Sequence, residues 1–283
     1  MPITKDDIEA VGSLVLDLCG IVLDETKGYL IESRLAPLLR AAGASTYYEL
    51  AQKARTQRDE SLHRRIIDAI TTNETLFFRD AAPFEALRHK TLPELIDAKA
   101  KSTTPRRLRI WSAACSTGQE AYSIVMVLRE LIPDLPKWDV QILGTDVSDA
   151  AVQAASRGYF TNFEMERGVS AGARQNHFVR DAAGWRVRDD VRALTSFRKL
   201  NLLEPFPNVG TFDVIFCRNV AIYFTAAARK SLFLRLKQQL YAGGYLFVGS
   251  SESLLDIGPE FAPKHHCRSV FYQPRPLSPT SSK

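Results

Sequence analysis

The second part of the chain alternates short apolar strands with amphipathic helices, a pattern that few folds satisfy. It predicts a parallel sheet covered by helices on both faces, and therefore an α/β fold. Ligands of such sheets bind beyond the carboxyl ends of the strands. The predicted strands span residues 108–113, 140–145, 212–217 and 244–249, and the predicted helices span residues 118–131, 149–157 and 226–240.

One stretch of this region breaks the alternation. Residues 185–188, 191–194 and 197–200 are short and strand-like. We predict that they form a small antiparallel β-subdomain, at about residues 184–200, inserted in the larger domain.

The first 70 residues have a helical pattern instead. Apolar residues recur every three or four positions from Ile8 to Cys19, which predicts a helix that Gly20 ends. Three further short helices complete a small bundle. The second helix of the bundle is predicted to place five apolar side chains on its inside: Tyr29, Leu30, Leu35, Leu38 and Leu39.

These patterns divide the chain into domains. We assign residues 1–80 to an N-terminal helical domain, 81–106 to a connecting helix and a linker, and 107–273 to the α/β domain. The connecting helix covers 81–98. The Pro- and Ser-rich tail at 274–283 is expected to be disordered.

Composition limits the partners and the compartment. The net charge of +5 over 283 residues suits an acidic partner but does not require nucleic acid. Four cysteines lie far apart with no C-x-x-C pair, so we expect neither a disulfide framework nor a metal site. Because no signal-peptide pattern or long apolar run is present, we expect a cytoplasmic protein that reaches membranes only by recruitment.

The turn at residues 111–122 follows a strand and opens a helix, as a nucleotide-binding turn does. Its single glycine, Gly118, fits neither a G-x-G-x-x-G motif nor a Walker A loop. Glu120, in the first turn of the helix, suits a cationic or hydroxyl-rich ligand. The alternative is an ordinary capped helix start with a favourable dipole pairing.

Further polar residues follow two other strands. Asp146 comes 26 residues after Glu120, at the end of the second strand, where dinucleotide folds bind a ribose diol. The alternative is a cap for the next helix. Asn219 and Tyr223 follow the third strand. Cys217 is not preceded by proline, so an inert buried thiol is its expected role.

Residues 71–80 are a polar segment between the bundle and the connecting helix. A capping box that pairs Thr71 or Thr72 with Glu74 or Thr75 is one interpretation. Three further polar side chains, those of Asn73, Thr75 and Arg79, exceed what a helix cap needs.

Together these segments resemble the CheR family of chemotaxis receptor methyltransferases, over about residues 5–272. The matching segments are T-T-N-E-T-L-F-F-R at 71–79, W-S-A-A-C-S-T-G-Q-E-A-Y-S-I at 111–124, G-T-D-V-S at 144–148, N-L-L-E at 201–204, C-R-N-V-A-I-Y-F at 217–224 and G-S-S-E-S at 249–253. The resemblance implies a glutamate O-methyltransferase that uses S-adenosylmethionine and releases S-adenosylhomocysteine. It also implies a class I (Rossmann-like) methyltransferase domain with an N-terminal helical domain and an inserted three-stranded antiparallel subdomain.

The resemblance also assigns roles to residues. Asp146 would hold the ribose hydroxyls, Asn201 and Leu202 would flank the adenine, and residues 73–79 would close over the methionine end. Tyr223 and Arg79 are the implied catalytic residues. The implied cofactor contacts are Asn73, Thr75, Arg79, Glu120, Asp146, Asn201, Leu202, Arg218 and Asn219.

The chain departs from the family pattern at two places. Gln119 precedes Glu120 where the family often has two glutamates, so we place the weight on Glu120. The insert is short between Phe178 and Trp185. A longer loop there accompanies docking on a receptor pentapeptide in the family, so the enzyme is predicted to be independent of that peptide.

The implied substrate is a glutamate-bearing helix in the cytoplasmic domain of a transmembrane chemoreceptor, bound by a monomeric enzyme. A glutamate with a pKa of about 4.3 is ionised at neutral pH, so no general base is needed. Residues 27–58 carry six bases against two acids, and we expect Arg34, Arg40, Lys53 and Arg55 to dock the receptor. An ordinary solvated surface is the alternative.

Two other classes of function remain open at this level. A nucleic-acid methyltransferase has only the basic stretch at 99–109 in its favour and lacks an Asn/Asp-Pro-Pro-aromatic motif. A non-enzymatic cofactor-binding adaptor is disfavoured because Glu120, Asp146, Asn219 and Tyr223 are all present.

Overall fold

The N-terminal part of the protein is a four-helix bundle in the computed structural model, which describes residues 3–57, 60–101 and 106–275. Its core is built from fully buried apolar side chains such as Val15, Ile31 and Leu35. The four helices are α1 (Lys5–Cys19), α2 (Gly28–Ala42), α3 (Tyr47–Gln57) and α4 (Glu60–Ile70).

Local caps fix where these helices begin and end. Thr4 and Asp7 form a capping box at the start of α1, and the Asp7 carboxylate also accepts the Tyr48 N–H at 2.7 Å. Gly20 ends α1 with a φ of 77°, in the left-handed region that glycine adopts without strain. The helix α1 therefore has the boundaries that its capping residues predict.

One prediction about the bundle core is wrong. Tyr29, expected inside, is 66% exposed. The buried stripe of α2 runs through Ile31, Leu35 and Leu38 at spacings of four and three. Tyr29 precedes Ile31 by two residues, which places it on the opposite side of the helix.

A helical connector joins the bundle to the α/β domain. It consists of α5 (Ala82–Ala86), a π-helical turn (Leu87–Thr91) and α6 (Leu92–Ala100). The Lys99 ammonium pairs with the buried Asp213 carboxylate at 2.7 Å, which ties the end of α6 to the sheet. Residues 102–105 of the predicted linker lie outside the described residues.

The α/β domain is built on a seven-stranded sheet with the order β6-β2-β1-β7-β8-β10-β9. The first five strands of that order run parallel, while β10 and β9 are antiparallel additions. These strands are β1 (Arg107–Ala113), β2 (Asp139–Asp146), β6 (Thr195–Lys199), β7 (Phe212–Cys217), β8 (Leu240–Phe247), β9 (Phe261–His266) and β10 (Ser269–Pro274); β3, β4 and β5 form a separate sheet.

Helices cover both faces of this sheet, as the alternation predicts. The core divides into one cluster that includes Phe84, Tyr122 and Phe216 and another that includes Trp111 and Phe233. The chain leaves β1 toward β2 on one side and returns to β7 on the other, so a switch point lies between β1 and β7. The domain's helices are α7 (Gln119–Leu131), α8 (Asp149–Arg157), α9 (Asn162–Glu166), α10 (Ala171–His177), α11 (Asp189–Arg192) and α12 (Ala226–Gln238).

The small antiparallel sheet exists, but its predicted position at 184–200 is wrong. It is formed by β3 (Tyr159–Phe160), β4 (Phe178–Asp181) and β5 (Gly184–Val187), in the order β3-β5-β4. Of the three predicted strands, only the first, at residues 185–188, overlaps this sheet. The second is the short helix α11, and the third is β6, which pairs in parallel with β2.

The predicted disordered tail also begins too early. Pro274 lies in β10, where it pairs with Phe261 of β9. Residues 276–283 lie outside the described residues. Within the described ranges, no helix is long and apolar enough to cross a membrane.

Substituting Gly168 with alanine should destabilise the protein. Gly168 has a φ of 115°, and an added Cβ would lie 2.1 Å from the carbonyl oxygen of Phe77. We expect the free energy of unfolding, measured by urea denaturation, to fall by about 2 kcal/mol or more, because a strained backbone alone costs about 1–3 kcal/mol.

The matched control is Gly172→Ala, because no atom lies within 4 Å of the added methyl group in that helix. We expect a free energy of unfolding that is unchanged or higher by up to about 1 kcal/mol. Equal effects of the two substitutions would contradict the close packing of Gly168 on Phe77.

Candidate active site

A cavity lies beyond the carboxyl ends of β1, β2 and β7, and its empty space, including the part open to solvent, is about 900 Å³. The helical bundle and the segment 71–80 close it from the other side. Its walls combine carboxylates, amides and apolar side chains, as a ligand with both polar and apolar parts requires.

The cavity brings together the polar residues that the sequence singles out from distant segments. The nine predicted cofactor contacts and Tyr223 all line it. Their roles toward a cofactor stay predictions. Because they come from distant segments of the sequence, only the fold brings them together. These residues are Asn73, Thr75, Arg79, Glu120, Asp146, Asn201, Leu202, Arg218, Asn219 and Tyr223.

The turn after β1 forms the floor of the cavity. Ala114, Ser116 and Gly118 all have positive φ angles, of 62°, 50° and 95°. This tightly wound path presents the Ser116 N–H to the Asp146 carboxylate at 2.9 Å. Small residues permit such a turn, but the sequence alone did not single out Ser116 as a contact.

Asp146 is buried at the end of β2, with 7% of its surface exposed. Its two carboxylate oxygens accept the N–H groups of Ser116 and Ser148. Burial raises the pKa of Asp146, while these backbone hydrogen bonds oppose the rise. Ser148, not Asp146, caps α8, because its hydroxyl accepts the Ala151 N–H at 3.1 Å. Asp146 is therefore oriented as an acceptor at the cavity wall.

The buried Arg218 guanidinium pairs with the half-buried Glu120 carboxylate at the cavity wall. Glu120 accepts the Ser112 hydroxyl at 2.7 Å and an Arg218 N–H at 3.1 Å. The other end of the guanidinium donates to the Asp80 carboxylate at 2.9 Å and to the Arg79 carbonyl at 2.8 Å. Because the Arg218 side chain is only 2% exposed, its main contacts are within the protein.

Gln119 differs from its neighbour Glu120 in orientation. Its amide oxygen accepts the Thr117 hydroxyl at 2.8 Å, and its amide nitrogen donates to Glu164 at 3.3 Å. It does not line the cavity. Of these two neighbouring residues, Glu120 is therefore the candidate ligand contact.

The segment 71–80 is a wall of the cavity and not a helix cap. No helix begins until Ala82, so the capping-box interpretation is wrong. The Asn73 carbonyl accepts the Ser116 hydroxyl at 3.0 Å, and the Phe78 N–H donates to the Ser123 hydroxyl at 3.0 Å. These contacts, with those of Arg218, fasten the segment to the sheet domain.

The helical bundle also contributes directly to the site. The Val22 N–H donates to the Tyr223 carbonyl at 2.9 Å, and the Asn201 amide donates to the Leu18 carbonyl at 2.9 Å. Cys19 and Ile21 line the cavity. Sequence reasoning missed these last two because only tertiary packing brings them there.

Three of the four predicted docking residues already form hydrogen bonds or ion pairs within the protein. Arg34 donates to the Ile70 carbonyl and the Thr72 hydroxyl, at 2.6 and 3.1 Å. Lys53 donates to two carbonyls at the end of α2, and Arg55 pairs with Asp17 at 2.9 Å. Arg40 is exposed. Arg58, also in the basic stretch, lies outside the described residues.

A sheet of this order, with a polar cavity at the switch point, is the architecture of the class I methyltransferases that bind S-adenosylmethionine. Residues 73–267 match the family described as CheR methyltransferase, SAM binding domain, and residues 6–71 match its all-alpha domain. The chain therefore belongs to the CheR methyltransferase family and is an S-adenosylmethionine-dependent methyltransferase.

Similar proteins carry consistent names. Chemotaxis protein methyltransferase 1 of Pseudomonas aeruginosa is 43% identical over 262 residues, which are 91% of this chain and 93% of that protein. Chemotaxis protein methyltransferase Cher2 of Pseudomonas putida is 39% identical over 272 residues, which are 94% of this chain and 97% of that protein. Family membership therefore extends over both domains.

The environments of the four thiols predict which one reacts. Burial raises the pKa of Cys19 to about 11 and those of Cys115 and Cys217 well above the ordinary range, whereas Cys267 is exposed. Thiolates are the reactive form. We expect an aromatic disulfide reagent at pH 8 to modify one thiol per native chain quickly, and none in the Cys267→Ser variant. Fast modification of a second thiol would contradict the buried positions.

Proposed function

We propose that the protein transfers methyl groups from S-adenosylmethionine to glutamate side chains of chemoreceptor cytoplasmic domains. The observation that carries this proposal is the convergence of distant motif residues on one cavity at the switch point of the sheet. The names of the relatives, chemotaxis protein methyltransferases, support a receptor as the acceptor. The product is a glutamyl methyl ester.

The donor set of the cavity fits the proposed cofactor. Asp146 would accept the ribose hydroxyls, Asn201 and Leu202 would flank the adenine, and Glu120 would offer a carboxylate to the ammonium group. Asn73 and Thr75, on the segment 71–80, would enclose the methionine end. Arg218 holds that segment through Asp80, so its part in cofactor binding is to keep the wall in place.

The chemistry needs alignment more than proton transfer. When bound, the cofactor supplies an electrophilic methyl group on a sulfonium. The acceptor glutamate is already ionised, with an ordinary pKa of about 4.3. Opposite charges are neutralised as the methyl group transfers, and a dry site of low dielectric favours that step. Alignment can contribute about 7–11 kcal/mol.

We infer that two residues align the reactants. Tyr223 lines the cavity on the turn after β7, where its hydroxyl could orient the glutamate carboxylate. Arg79, half-buried, donates to the Glu74 carbonyl at 2.8 Å and so stiffens the segment next to the methionine end. We infer a direct role for Tyr223 and a positioning role toward cofactor or substrate for Arg79.

We infer that recognition of the receptor does not use a C-terminal pentapeptide. β4 and β5 are joined by a turn of only two residues, Ala182 and Ala183. The longer loop that accompanies pentapeptide docking in the family has no counterpart here. The receptor would instead meet the enzyme near the cavity mouth, where Arg34 contacts Thr72.

The proposed reaction is tested by incubating the enzyme with radiolabelled S-adenosylmethionine and receptor-rich membranes. We expect label on a membrane protein that is released as methanol by mild base, as a methyl ester is. Label on nucleic acid, base-stable label, or binding of the cofactor without any transfer would contradict the proposal.

Substitutions at Asp146 and Tyr223 should separate binding from turnover. Asp146→Ala should raise the dissociation constant of S-adenosylhomocysteine about tenfold or more, because a hydrogen bond to a charged group is worth about 1.5–3 kcal/mol. Tyr223→Phe should lower kcat and leave that dissociation constant nearly unchanged. Calorimetry and initial rates measure the two effects. Normal affinity in the first variant, or weak binding in the second, would refute the assigned roles.

Arg40 is the clearest test of receptor docking, because reversing Arg34 would also disturb α4. We expect Arg40→Glu to raise the KM for receptor up to about fivefold and to flatten its salt dependence, since exposed ion pairs contribute about 0.2–1 kcal/mol. Lys230→Glu, an exposed site on α12, is the matched control with the same charge change. Equal KM values for the two variants would refute docking through Arg40.

A further inference from the structure

Glu252 is a buried carboxylate in the segment 249–253 that the proposed function leaves without a role. Only 8% of its surface is exposed, and it does not line the cavity. It lies instead behind the turn that carries Asn219 and Tyr223. Burying a carboxylate is costly unless it is hydrogen-bonded, so its contacts indicate what it is used for.

One oxygen of this carboxylate joins the ends of two neighbouring strands. Oε2 of Glu252 accepts the Asn219 N–H at 2.8 Å and the Gly249 N–H at 2.7 Å. Asn219 follows β7, and Gly249 follows β8. Gly249 leaves no room for a side chain, because an added Cβ would lie 2.6 Å from Glu252 Oε2 and 2.9 Å from Asn219 Nδ2.

The anchored residue has an unusual backbone conformation. Asn219 has a φ of 57°, in the left-handed region that residues other than glycine seldom adopt. This conformation turns the chain sharply between the end of β7 and the short 3₁₀ turn Ala221–Tyr223. The hydrogen bond from Asn219 to Glu252 holds the chain in it.

The other end of the same turn is held by the helical bundle. The Tyr223 carbonyl accepts the Val22 N–H at 2.9 Å. Val22 lies between α1 and α2, and its own carbonyl accepts the Lys27 ammonium at 3.1 Å. The turn from Asn219 to Tyr223 is thus fixed at both ends by groups outside it.

We propose that Glu252 is a positioning residue for methyl transfer. Together with the Val22 amide, its carboxylate fixes the turn that directs Tyr223 into the cavity. This inference rests on the proposed function, in which Tyr223 orients the acceptor carboxylate. It assigns to the segment 249–253 a part in turnover and not in cofactor binding.

Two substitutions of Glu252 differ in whether they keep a hydrogen-bond acceptor for the N–H groups of Asn219 and Gly249. Glu252→Gln keeps one carbonyl oxygen that can accept both N–H groups, and places the amide nitrogen where Oε1 has no hydrogen-bond partner among the described residues. Glu252→Ala removes the acceptor and leaves two buried N–H groups unpaired. We expect a loss in kcat of up to about 100-fold for Glu252→Ala, as a misplacement of about 1 Å can cause. Glu252→Gln should recover most of it.

A double-mutant cycle with Tyr223→Phe tests whether Glu252 acts through the tyrosine. All variants are assayed with labelled S-adenosylmethionine and receptor-rich membranes, at a temperature where thermal unfolding curves show each to be folded. Calorimetry with S-adenosylhomocysteine gives their cofactor affinity. We expect Glu252→Ala to lower kcat less than about threefold in the Tyr223→Phe background, with the dissociation constant changed less than about fivefold.

Several results would overturn the proposal. They are a full loss of kcat from Glu252→Ala in the Tyr223→Phe background, a wild-type kcat for the folded Glu252→Ala enzyme, a Gln variant as impaired as the Ala variant, or a loss confined to cofactor affinity. Failure of the proposed function is seen separately, as the absence of base-labile label with the unmodified enzyme.

Discussion

The arrangement of the site depends on a buried guanidinium. Arg218, from the turn after β7, pairs with Glu120 at the start of α7 and with Asp80 on the segment between the two domains. Removing one partner of a buried ion pair leaves an uncompensated charge and typically costs about 3–5 kcal/mol. The interaction therefore joins a strand end, a helix start and the cavity wall into one unit. The cavity of this CheR family member is assembled around it.

The bundle is part of that unit. Val22 contacts Tyr223, Leu18 contacts Asn201, and the Asp68 carboxylate accepts the Ser148 hydroxyl at 2.7 Å at the start of α8. Each contact reaches a residue next to the cavity. The helical domain thus fixes the backbone on which the proposed chemistry takes place. Receptor contacts on the bundle would act close to the transferred methyl group.

Much of the fold follows from local patterns. The alternation of strands and helices identified β1, β2 and β7, and the position of Asp146 at a strand end placed it in the cavity. The insert was misplaced because β6 is short and half-exposed, so its pattern matches that of an edge strand in either sheet. Cys19 and Ile21 carry no local signal of their place in the cavity. The buried contacts of Glu252 depend on two loops meeting in space, which no spacing in the sequence reveals.

We propose that this cavity holds the cofactor with its reactive end directed to Tyr223. A crystal structure of the complex with S-adenosylhomocysteine tests it most directly. We expect the ribose hydroxyls on Asp146, the adenine between Asn201 and Leu202, the amino-acid end beneath the segment 71–80, and the sulfur facing Tyr223. A ligand bound elsewhere, or bound here with its ribose away from Asp146, would contradict it.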